Sequence, residues 1–249
     1  MSKIINKIVI YVKGIVSFML FFFISIYMTI FVLLPVPILN PKTKRFYTNN
    51  FWWYARFLTK AHFNINIQNI NPFNEDFTRP AIIVCNHQTL FDVPLTMGMF
   101  PRLFVISNNW HHYSPIRLIV ERYVDFLPVT NGIKWVLTQS ESRIKQGSLG
   151  LFFPEGNRTN EPAILRYHKG AFLLAAMLKA DILPVVIYAS EGIRKKKWYF
   201  FKTGKIQVYI GNRIPPVNPD ENDEVKTQAK LVCNLSRKIY NKLQNNSTT

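Results

Sequence analysis

From Gly14 to Pro41 the chain runs 28 residues without a charged side chain, with Phe21, Phe22 and Phe23 near its middle. At a helical rise of ~1.5 Å per residue, such a stretch reaches roughly 42 Å, more than the ~30 Å hydrocarbon core of a bilayer. It reads as a membrane segment. A cleaved signal peptide is the competing reading, but the apolar region is long for one and the Pro-Val-Pro-Ile-Leu-Asn-Pro run at its end offers no small-x-small cleavage site. Both flanks are basic: Lys3, Lys7, Lys13, Lys42, Lys44, Arg45, Arg56 and Lys60 all precede Glu75, the first acid. The positive-inside rule draws both flanks to the cytoplasm, which a single span satisfies for one flank and a shallow or re-entrant segment for both. Arg45 to Phe63 then gathers Phe46, Tyr47, Phe51, Trp52, Trp53, Tyr54, Phe57 and Leu58 beside Arg56 and Lys60. Amphipathic rings with snorkelling bases describe an interfacial helix; a core helix of the following domain is the alternative.

Charge supports a lipid setting. With 31 basic and 14 acidic side chains the formal net charge is +17, a balance that points to nucleic acid or to an anionic membrane surface. The bases that bracket the apolar segment favour the membrane, with no nucleic-acid partner expected. A 48% share of hydrophobic residues excludes a disordered basic tail. Cys85 and Cys233, with no C-x-x-C pair, cannot make a disulfide scaffold or a zinc ribbon.

Beyond residue 62 short apolar runs alternate with helical patterns. Strands are expected at Phe63 to Ile70, Ala81 to Cys85, Leu103 to Ile106, Tyr123 to Val129, Leu149 to Phe153, Ile182 to Tyr188 and Lys205 to Ile210. Helices are expected at Asp92 to Met99, Pro115 to Arg122, Ile133 to Lys145 and Gly170 to Lys179. A last helix over Asp220 to Leu243 spaces Val225, Ala229, Val232, Ser236, Ile239 and Leu243 along one face. The alternation specifies an α/β domain, a mixed sheet flanked by helices. The expected organisation is an anchor with interfacial helix over 1–62 and one globular domain over 63–249.

Two strand ends carry chemistry. After Ala81 to Cys85 come Asn86 and His87, with Asp92 at the start of a helix. A carboxylate within reach of an imidazole fixes its tautomer and stabilises the imidazolium that forms when it takes a proton, which makes a general base; a loop histidine beside a helix-capping aspartate is the plainer reading. After Leu149 to Phe153 comes a turn with Glu155, Gly156 and Arg158. Gly156 allows positive φ and the Arg158 fork suits a phosphate or carboxylate.

Asn86-His87-Gln88-Thr89-Leu90-Phe91-Asp92 resembles the NHxxxxD motif of the lysophospholipid and glycerol-phosphate acyltransferase family. Phe153-Pro154-Glu155-Gly156-Asn157-Arg158-Thr159 resembles its FPEGTRS motif, Lys169-Gly170 its Lys-Gly pair, and Leu183-Pro184-Val185-Val186 its late apolar block. Order and spacing agree over residues 62–215. The resemblance implies acyl transfer from a thioester, acyl-CoA or acyl carrier protein, to a lysolipid hydroxyl, without a resident cofactor or metal. His87 would be the base and Asp92 its orienting partner, while Glu155, Gly156, Arg158 and Lys169 would hold the acceptor's head. Where the family often has an arginine after its middle block, Leu127-Pro128-Val129-Thr130-Asn131 places Asn131. Either Lys134 or Arg166 replaces that cation, or the head is not a simple phosphate monoester. The implied activity is 1-acyl-glycerol-3-phosphate acyltransferase, giving phosphatidate at the cytoplasmic face of the cell membrane. Another lysolipid acceptor, a lyso-aminolipid or lysophospholipid, is the second reading, and a non-catalytic membrane-tethered basic binding protein the third.

Other signals are weaker. Cys85 ends an apolar strand and reads as core. His111, His112 and His168 lack a carboxylate at ligand spacing for zinc. Arg194-Lys195-Lys196-Lys197-Trp198 is either a solvated loop or a docking run for a membrane surface or an acidic carrier protein.

Overall fold

The computed structural model describes residues 2–33, 49–50, 52–57, 60, 64–89, 91–107, 125–159, 161–194 and 203–248. Helix α1, Ser2–Leu33, is followed by a short helical stretch over residues 52–57. The remaining elements are β1 Ile65–Ile70, β2 Ile82–Cys85, α2 Asp92–Met99, β3 Leu103–Ser107 and β4 Phe126–Pro128 with a 3-10 turn at Val129–Asn131. They continue with α3 Ile133–Lys145, β5 Leu149–Phe152, α4 Gly170–Leu178, β6 Ile182–Ala189, α5 Glu191–Arg194, β7 Gly204–Ile210 and α6 Asn222–Thr248. The helix expected at Pro115 to Arg122 lies outside the described residues.

The seven strands form one mixed sheet in the order β1-β7-β6-β2-β5-β3-β4. Strands β6, β2, β5, β3 and β4 are mutually parallel; β7 is antiparallel to β6, and β1 is parallel to β7. The five carboxyl ends therefore open at one end of the sheet, the end at which β1 and β7 begin. Period-two alternation divides the core. Ile82, Val84, Phe104 and Ile106 pack with Val136, with Phe172 and Leu174 of α4 and with Val225, Ala229 and Val232 of α6. Ile83, Cys85, Val105 and Leu151 face the other way, onto Ala55 and onto Leu95 and Met97 of α2. Layers pack closely enough at β5 that a Cβ on Gly150 would come within 2.7 Å of the Phe104 ring and 2.9 Å of Ile82, which leaves glycine as the residue that fits there.

The apolar helix is displaced from its expected place. Residues 4–27 form a stretch long and apolar enough, by length and composition, to cross a membrane. Lys7 and Lys13 lie within it, because their stems extend the charge away from the axis while Ile4, Ile5, Ile8, Val9 and Val12 supply apolar surface. Residues 34–41 of the expected segment lie outside the described residues. One face of α1 meets the domain: Gly14 and Ser17 are buried, Asn64 Nδ2 donates to Ile10 O at 3.0 Å, and Ser25 Oγ and Tyr54 Oη are 2.9 Å apart. The stretch over 52–57 divides by face. Trp52 and Ala55 pack on the sheet's second face, while Trp53 is exposed.

Candidate active site

Strand β2 is buried along its whole length, and its carboxyl end delivers Asn86 and His87. Asn86, fully buried, closes a paired bond with the β6 backbone: its Nδ2 donates to Ile187 O at 2.9 Å and its Oδ1 accepts from Ile187 N at 2.7 Å. This pins the start of the loop. Five residues on, Asp92 opens α2 with a fully buried carboxylate. Its Oδ2 lies 2.8 Å from His87 Nδ1 and accepts from the amides of Gln88 at 2.6 Å and Thr89 at 2.8 Å, while Oδ1 accepts from Thr89 Oγ1 at 2.6 Å. The helix N-terminus adds a favourable dipole for the negative charge. An ionised carboxylate only accepts, so the shared proton sits on Nδ1 and Nε2 presents a lone pair. That nitrogen has no hydrogen-bond partner among the described residues, and the ring is 17% exposed. Phe153 stacks against the imidazole with centroids 4.3 Å apart. Together these contacts fix both the tautomer and the plane of the ring.

Strand β5 brings the second motif alongside, since Val84 of β2 is in register with Phe152 of β5. His87 and Glu155 each follow three residues after that row. The turn bends at Gly156, whose φ of +76° is one that other residues rarely adopt. Glu155 is buried, and both oxygens are committed to backbone: Oε1 accepts from His87 N and Oε2 from Leu165 N, each at 2.7 Å. Thr159 N donates to His87 O at 3.2 Å. The two motifs are thus laced together at the backbone of the histidine itself. Burial raises the Glu155 carboxyl above its ordinary range despite these two donors. Glu155, expected to hold an acceptor head, gives one oxygen to the His87 amide and the other to the Leu165 amide.

The other expected residues divide. Arg158 is half-buried, and its guanidinium forms no hydrogen bond or ion pair among the described residues. Asn131 is exposed in the 3-10 turn after β4, at the same end of the sheet. The Lys169 ammonium is bound elsewhere, donating to Asn222 Oδ1 at 2.8 Å. Asn222 lies about 27 Å by helical rise along α6 from Tyr240, the residue of that helix that touches the His87 loop. Cys85 is fully buried, and burial, with the charges of Asp92 and Glu155, pushes its thiol well above the ordinary range. It is a core residue.

Two features are absent from the expected set. Gln88 is buried and its Nε2 donates to Tyr240 Oη at 2.9 Å; Arg194 Nη1 reaches the same hydroxyl at 3.3 Å. Arg194, expected within an exposed basic run, is 6% exposed, because α5 turns it inward beneath α6. Lys195 to Trp198 lie outside the described residues. Elsewhere, Arg213 joins Glu75 through both carboxylate oxygens, at 2.7 and 2.8 Å, and also reaches Asp181 Oδ2 at 3.4 Å.

The family model described as Acyltransferase matches residues 64–188, half of the chain. The chain belongs to the acyltransferase family. The matched span runs from the threshold of β1 to the end of β6 and contains both motifs. Among relatives within the acyltransferase family, human 1-acyl-sn-glycerol-3-phosphate acyltransferase beta is 24% identical over 169 residues, which cover 66% of this chain and 60% of that protein. A 1-acyl-sn-glycerol-3-phosphate acyltransferase of Chlamydomonas reinhardtii is 23% identical over 232 residues, 88% of this chain and 68% of that one. The crystal structure of the 1-acyl-sn-glycerophosphate (LPA) acyltransferase PlsC from Thermotoga maritima superposes with a TM-score of 0.66 at 20% identity, covering 98% of both chains. The two chains share a fold, and the expected mixed α/β sheet is the one observed.

Proposed function

We propose that this chain transfers a fatty acyl group from a thioester, acyl-CoA or acyl carrier protein, to the free hydroxyl of 1-acyl-glycerol-3-phosphate, producing phosphatidate and a free thiol. The observation that carries the proposal is the His87–Asp92 pair at 2.8 Å, with Nε2 unpartnered among the described residues. Nε2 removes the proton of the acceptor hydroxyl as its oxygen attacks the thioester carbonyl. Asp92 stabilises the imidazolium, the tetrahedral intermediate collapses, and the departing thiolate recovers the proton from Nε2. General-base assistance of this kind contributes ~10²–10⁴ in rate. Cys85 takes no part, and no covalent acyl-enzyme forms.

Arg158, at the neighbouring strand end and without a hydrogen bond or ion pair among the described residues, binds the anionic head of the acceptor and turns its hydroxyl to His87. Helix α1 lies in the bilayer, with the site at the cytoplasmic face of the cell membrane, where the bases around α1 and the acyl donor both reside. The named activity of the relatives supports this choice of acceptor. Asn131 favours a second reading, an acceptor with a head other than a phosphate monoester, since it brings no positive charge to the turn after β4. A panel of lysolipids presented with one acyl thioester tests the choice. Preference for lysophosphatidate is expected; a clear preference for an acceptor without phosphate would replace it.

A further inference from the structure

The acceptor of such an enzyme resides in a bilayer, which raises the question of which surfaces besides α1 meet that bilayer. Residues 130–135 are exposed without interruption, and two of them, Ile133 and Trp135, are large and apolar at 51% and 37% exposure with Lys134 between them. A tryptophan, an aliphatic side chain and a lysine together are the composition of a membrane interface, where the ring settles at headgroup level and the ammonium reaches phosphate. Their position in the sheet matters more than their composition. Leu127 of β4 pairs with Ile106 of β3, which pairs with Phe152 of β5, which pairs with Val84 of β2. Ile133 to Trp135 therefore follow β4 at the same end as His87 follows β2.

At the opposite edge, Ile65 at the start of β1 pairs with Gly204, and Ile206 of β7 pairs with Ala189 at the end of β6. Asn64 is thus at the carboxyl end of the parallel strands, and its bond to Ile10 O brings α1 to that end. Strand β2 is the central one of the seven. At ~4.8 Å per strand, His87 sits roughly 14 Å from each edge. Twist turns the two edge strands in opposite senses, so what the edges share is the carboxyl end of the sheet and not one of its faces.

We propose that Ile133, Lys134 and Trp135 form a second membrane contact, inserting into an anionic bilayer so that this contact and α1 straddle the mouth of the His87 site. The proposal rests on the reading of α1 as the anchor. A single attachment at the β1 edge leaves the domain free to pivot; a second at the β4 edge presses the site mouth onto the lipid surface from which the acceptor comes. The lipid surface is the occupant because the patch lies at the same end of the sheet to which Asn64 ties α1 and because Lys134 and the +17 charge of the chain complement anionic headgroups.

The test places single nitroxide labels at Ile133→Cys, Trp135→Cys, Phe22→Cys and Leu231→Cys in the full chain, reconstituted in phosphatidylcholine and phosphatidylglycerol vesicles. Cys85 and Cys233 are buried. Leu231, exposed on α6 about 13 Å by helical rise from Tyr240 and toward the opposite end of the sheet, is the comparison site. Labels at positions 133 and 135 are expected to be accessible to oxygen and shielded from a water-soluble nickel complex, in contrast to the label at 231. Nickel access equal to that at 231 overturns the proposal. Shielding from both reagents with dipolar broadening indicates a second copy of the chain on the patch and also overturns it. The label at Phe22 tests the anchor separately, and since no turnover is measured, failure of the catalytic reading leaves the result interpretable.

Discussion

Replacing Glu155 with Gln distinguishes a residue that positions the base from one that binds substrate. Its two oxygens accept from His87 N and Leu165 N at 2.7 Å each. Gln keeps one carbonyl oxygen and turns an NH2 group toward the other amide, so one bond to a charged acceptor is lost and its donor is left buried. Hydrogen bonds to charged groups contribute about 1.5–3 kcal/mol. Part of that is returned, because burial already opposes the charge, as the raised carboxyl shows. A net loss of about 2 kcal/mol is expected, which lowers Tm by about 4–8 °C in a domain of this size. Losing the tie at His87 N misplaces the imidazole, so kcat falls while acceptor KM changes little. Thermal melting in detergent together with steady-state kinetics over a range of acceptor concentration reads both quantities. An unchanged kcat with KM raised tenfold or more would refute the reasoning and return Glu155 to the acceptor head.

Asp92→Asn removes the charge that stabilises the imidazolium and loosens the tautomer; kcat should fall by about 10²–10⁴, and a smaller loss in single-turnover measurements would count against the pair. Tyr240→Phe removes the hydroxyl that Gln88 Nε2 and Arg194 Nη1 share and leaves them their longer bonds to Glu161 O at 3.4 Å and Ala189 O at 3.5 Å, at a cost of about 1 kcal/mol, read as a lowered Tm; an unchanged melt would show that the network is not holding the loop. The Arg213 hydrogen bond holds the Glu75 carboxyl below its usual range. A depressed carboxyl stabilises the fold above the unfolded-state value, and that stability is lost as pH falls through the folded-state value. Glu75→Gln should therefore flatten the acid limb of the stability profile below about pH 4.5, and an unaltered limb would contradict this assignment.

Much of the site was legible because its central pair is local. His87 and Asp92 are five residues apart, and a strand end followed by a helix start brings them together. The apolar run at Leu149–Phe152 and the spacing of Val225, Ala229, Val232 and Ser236 likewise identify their elements from sequence alone. What escaped depends on contacts distant in sequence. An acidic side chain in a turn reads the same whether it faces solvent or the backbone of His87, so the positioning role of Glu155 is visible only once β5 lies beside β2. Tyr240 is separated from Gln88 by 152 positions; it sits one turn beyond Ser236 on the inward face of α6, where the periodicity continues through 240 as well as 239. Arg194 reads as the first of a basic cluster, and only α5 shows it turned inward. Lys7 and Lys13 read as the boundary of the apolar segment, whereas a helix with long basic stems passes through them. The reversal of β7 against β6 leaves no trace in either strand's composition.

The most direct measurement is turnover of lysophosphatidate with an acyl thioester by the purified chain and by His87→Ala, with melting curves verifying that the variant is folded. General-base catalysis predicts a loss of at least about 10² in kcat with the fold retained. Turnover equal to that of the unmodified chain would contradict it.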